Sequence, residues 1–122
     1  MAIDADSLPL PVGVDFRDLA ACAAECMKLL PKAFHGVRVV VRATAGHGIK
    51  PGARLRMWYW LSRPLLGKDL KAWLKQQGVD KKIIDGSVFS AAQFNFVADP
   101  IFEIPSHNPV KIGVRISPVC RR

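Results

Sequence analysis

Arg54-Leu55-Arg56-Met57-Trp58-Tyr59-Trp60-Leu61 alternates without a break. Successive side chains of an extended chain point to opposite faces, so Leu55, Met57, Tyr59 and Leu61 share one side and Arg54, Arg56, Trp58 and Trp60 the other. The pattern predicts a strand with one apolar face and one cationic, aromatic face. Residues 37–44 repeat it in β-branched form: Val37, Val39 and Val41 fall on one side, Arg38 and Arg42 on the other. Between them lies a loop, residues 47–52, punctuated by Gly48, Pro51 and Gly52. Two adjacent strands of like patterning predict a sheet buried on one side only.

Towards the N-terminus, Asp15 suits a helix cap and Asp18 its positive end. Phe16, Leu19, Ala23, Cys26, Met27 and Leu30 then recur at helical spacing until Pro31. Before that helix, Leu8-Pro9-Leu10-Pro11-Val12-Gly13 reads as a loop and residues 1–6 as a short strand, with Ile3 and Ala5 on one side and Asp4 and Asp6 on the other. Towards the C-terminus, Pro64 ends the central strand, and a helix over 66–77 gathers Leu66, Leu70, Trp73 and Leu74. Gly78 is placed to cap it. Residues 79–88, with Asp80 and Asp85, read as a short helical or turn segment, and 93–98 as extended. Residues 110–116 read as the last strand, Ile112, Val114 and Ile116 against Lys111 and Arg115.

The order strand, helix, strand, strand, helix, strand is the split βαβ pattern. It predicts an α+β fold, βαββαβ, ferredoxin-like or RNA-recognition-motif-like, with an antiparallel sheet and both helices on one face. The helix-free face would carry Asp4, Asp6, Arg38, Arg42, Arg54, Arg56, Trp58, Trp60, Lys111 and Arg115, none of which suits an unpartnered core position.

A chain of 122 residues fits one domain, 1–122, and half of it is hydrophobic, as in a globular protein. The net charge of +8 favours polyanion partners, nucleic acid or nucleotides foremost. Three cysteines, two of them four apart on a predicted helix, fit buried free thiols better than a disulfide framework or a metal site. No apolar run reaches bilayer length, and the first residues do not have the form of a signal peptide, so the expectation is a cytoplasmic chain without membrane contact.

Two carboxylates at i and i+2 of one strand suit Mg²⁺ or Mn²⁺, which bind few carboxylates together with substrate phosphates. Asp-x-Asp alone is more often a solvated chain end or a helix-flanking turn; the surrounding cations give it weight, because a reacting triphosphate needs charge neutralisation. Ile3-Asp4-Ala5-Asp6, followed by Leu8-Pro9-Leu10-Pro11, resembles the first motif of the archaeo-eukaryotic primase (primase–polymerase) superfamily. Residues 44–61 resemble the segment around the second motif in phage and plasmid members. Ile84-Asp85-Gly86-Ser87-Val88-Phe89, with Gln93 and Ala98-Asp99-Pro100-Ile101-Phe102 after it, is similar to the third motif and its sequel.

That resemblance implies metal-dependent, template-directed nucleotidyl transfer, as in a DNA primase or polymerase that starts replication of a phage, plasmid or integrated element. It implies Mg²⁺ or Mn²⁺ on Asp4, Asp6 and Asp85, nucleoside triphosphates, a single-stranded DNA template and a replicative helicase as partner. Asp80 competes with Asp85 for the third carboxylate. The family's second motif has a serine and a histidine where this chain has Arg54 and Arg56, while His47 stands in the preceding loop. Either Arg56 or His47 could hold phosphate, with Arg54 and Lys50 beside them. Arg38, Arg42, Trp58, Trp60, Lys111 and Arg115 are the expected nucleic-acid contacts, the tryptophans by stacking bases or, alternatively, by packing in the core. Family domains carry strands before the first motif, whereas Met1 lies three residues before Asp4, so a truncated domain is a further expectation. The competing reading is a non-catalytic module binding single-stranded nucleic acid on the same fold.

Overall fold

A computed structural model describes residues 1–90, 92, 97–110 and 114–119. Strand β1 spans Ala2–Leu8, helix α1 Leu19–Lys28, β2 Val39–Ala43, β3 Ala53–Tyr59, α2 Gly67–Gln76, β4 Ile84–Asp85 and β5 Ile116–Val119. The strands form one antiparallel sheet in the order β4-β1-β3-β2-β5. The fold is α+β with the helices packed on one face, and its first four strands follow the ferredoxin-like order.

The alternation in β3 is realised residue for residue: Leu55, Met57 and Tyr59 are buried, and Arg54, Arg56 and Trp58 lie at intermediate exposure on the opposite side. Val39 and Val41 of β2 join the same core, as do Ile3 and Ala5 of β1. Helix α1 brings Leu19, Cys22, Ala23, Cys26 and Met27 against them. Small alanine and cysteine side chains let its axis lie close to the sheet. Cys22 and Cys26 are free, and burial raises both thiols, to about 11 and about 12. Helix α2 contributes Leu70 and Leu74, one turn apart. Each such large apolar side chain stabilises the fold by roughly 1.5–3 kcal/mol when fully buried. Among the described residues no helix is long and apolar enough to cross a membrane.

Three expectations need correction. The α1 cap is Asp18, whose carboxylate accepts from the Ala21 amide, while Asp15 accepts from the Arg17 amide in the preceding turn. The strand that completes the split βαβ is β4, inside the segment read as helix or turn. Two residues are too few to show a periodicity; β4 is held instead by pairing with β1 and by the Asp6 amide donating to the Ile83 carbonyl. The last strand starts at Ile116 and adds to the β2 edge. Its expected facing is inverted where it can be seen. Ile116 is 51 % exposed and Arg115 only 1 %, because the Arg115 guanidinium is drawn inward by the Thr44 carbonyl and Asn108 Oδ1. Lys111 and Ile112, and residues 93–96 of the segment read as extended, lie outside the described residues.

A bulge in β1 aims the first carboxylates. Ala5 pairs with Leu55 and Leu8 with Ala53, so β1 advances three residues where β3 advances two. The extra residue, Ser7, has φ 57°, and the shift returns Leu8 to the core after Asp6 has pointed outward. Gly52 sits against this bulge with φ +75°, and a Cβ there would lie 2.6 Å from the Ser7 carbonyl carbon. Gly52→Ala should therefore destabilise the fold by at least about 2 kcal/mol, from left-handed strain plus displacement of β1. Urea unfolding measures this, and a loss below about 0.5 kcal/mol, the level of an ordinary surface change, would mean that the bulge does not depend on Gly52.

Candidate functional site

One row of residues crosses four strands on the helix-free face. Asp85 of β4 pairs with Asp4 of β1, Asp4 with Arg56 of β3, and Arg56 with Arg42 of β2. Side chains directly opposite one another in antiparallel strands share a face and lie close enough to interact. The row therefore reads two carboxylates, then two guanidiniums.

Its centre is a two-pronged ion pair: Arg56 Nε and Nη2 donate to Asp4 Oδ1 and Oδ2. Both side chains are only 13 % exposed. Arg56 is held above its ordinary pKa, first by the hydrogen bonds it donates to Asp4, against the opposing effect of burial, with the charges of Asp4, Asp6 and Asp85 all adding. One guanidinium thus senses all three carboxylates. A second pair flanks the first: Arg54 Nη1 donates to Asp6 Oδ1 at 2.9 Å and Nη2 to Ser7 Oγ at 2.7 Å. Asp85 accepts from the Ser87 amide and hydroxyl and so caps the 3₁₀ turn Gly86–Phe89. Asp80 is exposed at the turn after α2, where it accepts from the Lys82 amide. Among the described residues no group of three or more His, Cys, Asp or Glu side chains is gathered closely enough to hold a metal ion.

The cations expected to meet phosphate or nucleic acid fall into three settings. Arg56 and Arg54 stand beside the carboxylates. Arg42 is buried under the segment after β4, giving Nη2 to Asp99 Oδ1 at 2.9 Å, so this part of the sheet is covered and the expected open face is narrower than the alternation implied. Arg38 is exposed; with Val40, Trp58, Trp60 and Pro118 it lines a groove of about 590 Å³. Trp60 is 96 % exposed, one residue beyond β3. Lys50 is exposed, its chain running along Gly46.

His47 is fully buried, and both of its nitrogens are engaged within the chain. Nε2 lies 2.7 Å from the Phe16 carbonyl, and Nδ1 accepts from the Arg54 amide at 3.0 Å. The ring is thus neutral with its proton on Nε2, and it ties the loop before β3 to the segment before α1. A phosphate could use this imidazole only after one of those bonds opened. The signal available in the sequence was the pair of flanking glycines: Gly48, with φ +77°, packs its Cα against Phe16 and Pro109. Nothing in the sequence around Asp99 marks it as the partner of Arg42.

No family model, curated protein or solved structure matches this chain.

Burial, the largest influence, pushes the His47 pKa below its ordinary value; the bond to Phe16 opposes this, and the Arg115 charge adds to the lowering. The unfolded chain then binds a proton, at about pH 6.5, before the folded chain does. Stability is full above that pH and falls as pH drops below it towards the folded-state value. Urea midpoints should decline from pH 7.5 to 5.5 in the wild-type protein. His47→Gln should be less stable at pH 7.5 and nearly flat across the same interval. A wild-type midpoint that is constant or rises on acidification would contradict the buried neutral ring.

Proposed function

We propose that this chain carries out metal-dependent, template-directed nucleotidyl transfer, as a primase–polymerase-type domain acting on nucleoside triphosphates and a single-stranded template. The observation that carries the reading is the row Asp85, Asp4, Arg56, Arg42, with Asp6 and Arg54 beside it. Carboxylates for a hard cation and guanidiniums for phosphate are adjacent on one helix-free sheet face, as the chemistry of a triphosphate requires. Asp4, Asp6 and Asp85 would hold Mg²⁺ or Mn²⁺, which would supply charge neutralisation and activation of a 3′-hydroxyl. Arg56 and Arg54 would pass from these carboxylates to the triphosphate, where the guanidinium fork suits phosphate oxygens. The split βαβ order of the first four strands supports an RNA-recognition-motif-like platform of the primase–polymerase kind.

A second reading has its own observation. Arg56 already occupies both oxygens of Asp4, and Arg38, Trp58 and Trp60 line an exposed groove. A non-catalytic module would use that groove to stack bases and bind backbone phosphates of single-stranded nucleic acid.

Thermal unfolding separates the two. Under the catalytic reading, Mn²⁺ with a nucleoside triphosphate raises Tm, by about 4 °C for each kcal/mol of linked binding. Asp85→Asn should abolish most of that shift while keeping its cap on Ser87. A wild-type protein insensitive to millimolar Mn²⁺ and triphosphate, yet binding single-stranded DNA with a steep loss of affinity on added salt, would leave the binding-module reading alone.

A further inference from the structure

Between the turn at residues 44–46 and the segment at 98–100 lies a cavity of about 420 Å³, with Arg42 and Arg56 in its wall and Asp99 at its margin. That volume is within the range of small-molecule sites, roughly 300–1,000 Å³. One buried arginine, Arg42, lines it, and a second, Arg115, lies outside its lining. Arg42 is 5 % exposed and is bonded to Asp99; Arg115 is 1 % exposed and donates to neutral oxygens, those of Thr44 and Asn108. Arg115 Nε is buried without a hydrogen-bond partner, and no carboxylate is in salt-bridge reach of Arg115 among the described residues. The other cavity-wall guanidinium, Arg56, is matched by Asp4. Asp99, itself about half exposed, is bonded to Arg42 and also acts on Arg115.

A buried guanidinium is costly unless its charge is compensated. Burial lowers the Arg115 pKa, Asp99 opposes that, and the Arg42 charge adds to the lowering. A half-exposed aspartate joined to Arg42 by one hydrogen bond is a weak and replaceable anion.

We infer that this cavity is a binding site for a phosphate group, and that Asp99 is an internal stand-in which an incoming phosphate displaces from Arg42. A phosphate brings more charge than a carboxylate and more acceptor oxygens, so it can compensate Arg42 and accept from Arg56 as well. The site deepens the nucleotidyl-transfer reading and rests on it for the identity of the ligand, a nucleoside polyphosphate. Displacement of Asp99 would also release the segment it tethers, whose Phe102 ring lies under the Arg115 guanidinium at 5.6 Å.

The probe is pyrophosphate, titrated calorimetrically into the full chain without divalent cation. Asp99→Asn removes the competing charge and keeps the shape, so it should bind pyrophosphate at least fivefold more tightly than the wild-type protein. Arg42→Gln should weaken binding tenfold or more while retaining the wild-type circular dichroism spectrum. Should Asp99→Asn fail to fold, side-chain N–H resonances of the wild-type protein decide the matter: those of Arg42 should shift with pyrophosphate and those of exposed Arg38 should not. Binding by Asp99→Asn that is no tighter than wild type, or an Arg42 that does not respond to pyrophosphate, overturns the site. Because metal is absent, such a failure would leave the Mn²⁺-dependent Tm shift and its loss in Asp85→Asn standing. If the cavity binds pyrophosphate but that shift does not occur, the phosphate site survives and the catalytic reading falls.

Discussion

The pair between Asp4 and Arg56 is the constraint on which the helix-free face depends. Neither group could stay at this depth alone, since an unpartnered buried charge costs several kcal/mol. Together they join the middle of β1 to the middle of β3, the central strand of the sheet. Arg54 with Asp6 and Arg42 with Asp99 then extend the same pattern along and across the sheet. The core on the other side tolerates this polar layer because strand alternation separates the two completely: Ile3, Ala5, Leu55 and Met57 face the helices, while Asp4, Asp6, Arg54 and Arg56 face away.

This layer also gives the face its chemical character. The carboxylates are partnered from within the chain, Asp4 by a two-pronged arginine, Asp6 by Arg54 and Asp85 by the neutral donors of Ser87. Under the proposals above, ligand binding would be an exchange of partners, with carboxylates going to a cation and guanidiniums to phosphate. An exchange of this kind leaves the charge of each buried group matched at start and finish. The primase–polymerase proposal and the phosphate cavity both draw on that property, the first at Asp4 and Arg56, the second at Asp99 and Arg42.

Much of this was legible in the sequence. The unbroken alternation from Arg54 to Tyr59 and the valines of β2 were enough to divide the sheet into an apolar and a charged face, and Gly78, with φ +74°, closes α2 as its position suggested. What escaped has physical reasons. A two-residue strand such as β4 carries no period, yet it sets Asp85 opposite Asp4. Arg115 reads as a solvent-facing strand residue, but it precedes β5 and turns inward to cap carbonyl and amide oxygens. His47 offers the same letters whether it awaits a ligand or locks a loop; only the positions of Phe16 and the Arg54 amide show that both nitrogens are used. Pairings across long sequence separations, such as Arg42 with Asp99, leave no local pattern at all.

The dependence of the face on its central pair is tested most directly by a double-mutant cycle on Asp4→Asn and Arg56→Gln, read by urea unfolding at neutral pH. Each single substitution leaves one charge at low exposure without its partner, whereas the double variant leaves none. A coupling energy of roughly 1–3 kcal/mol, with the double variant more stable than the sum of the two single losses allows, is the predicted result. Additive losses, with coupling below about 0.5 kcal/mol, would contradict it and would mean that the carboxylate and the guanidinium hold their positions independently.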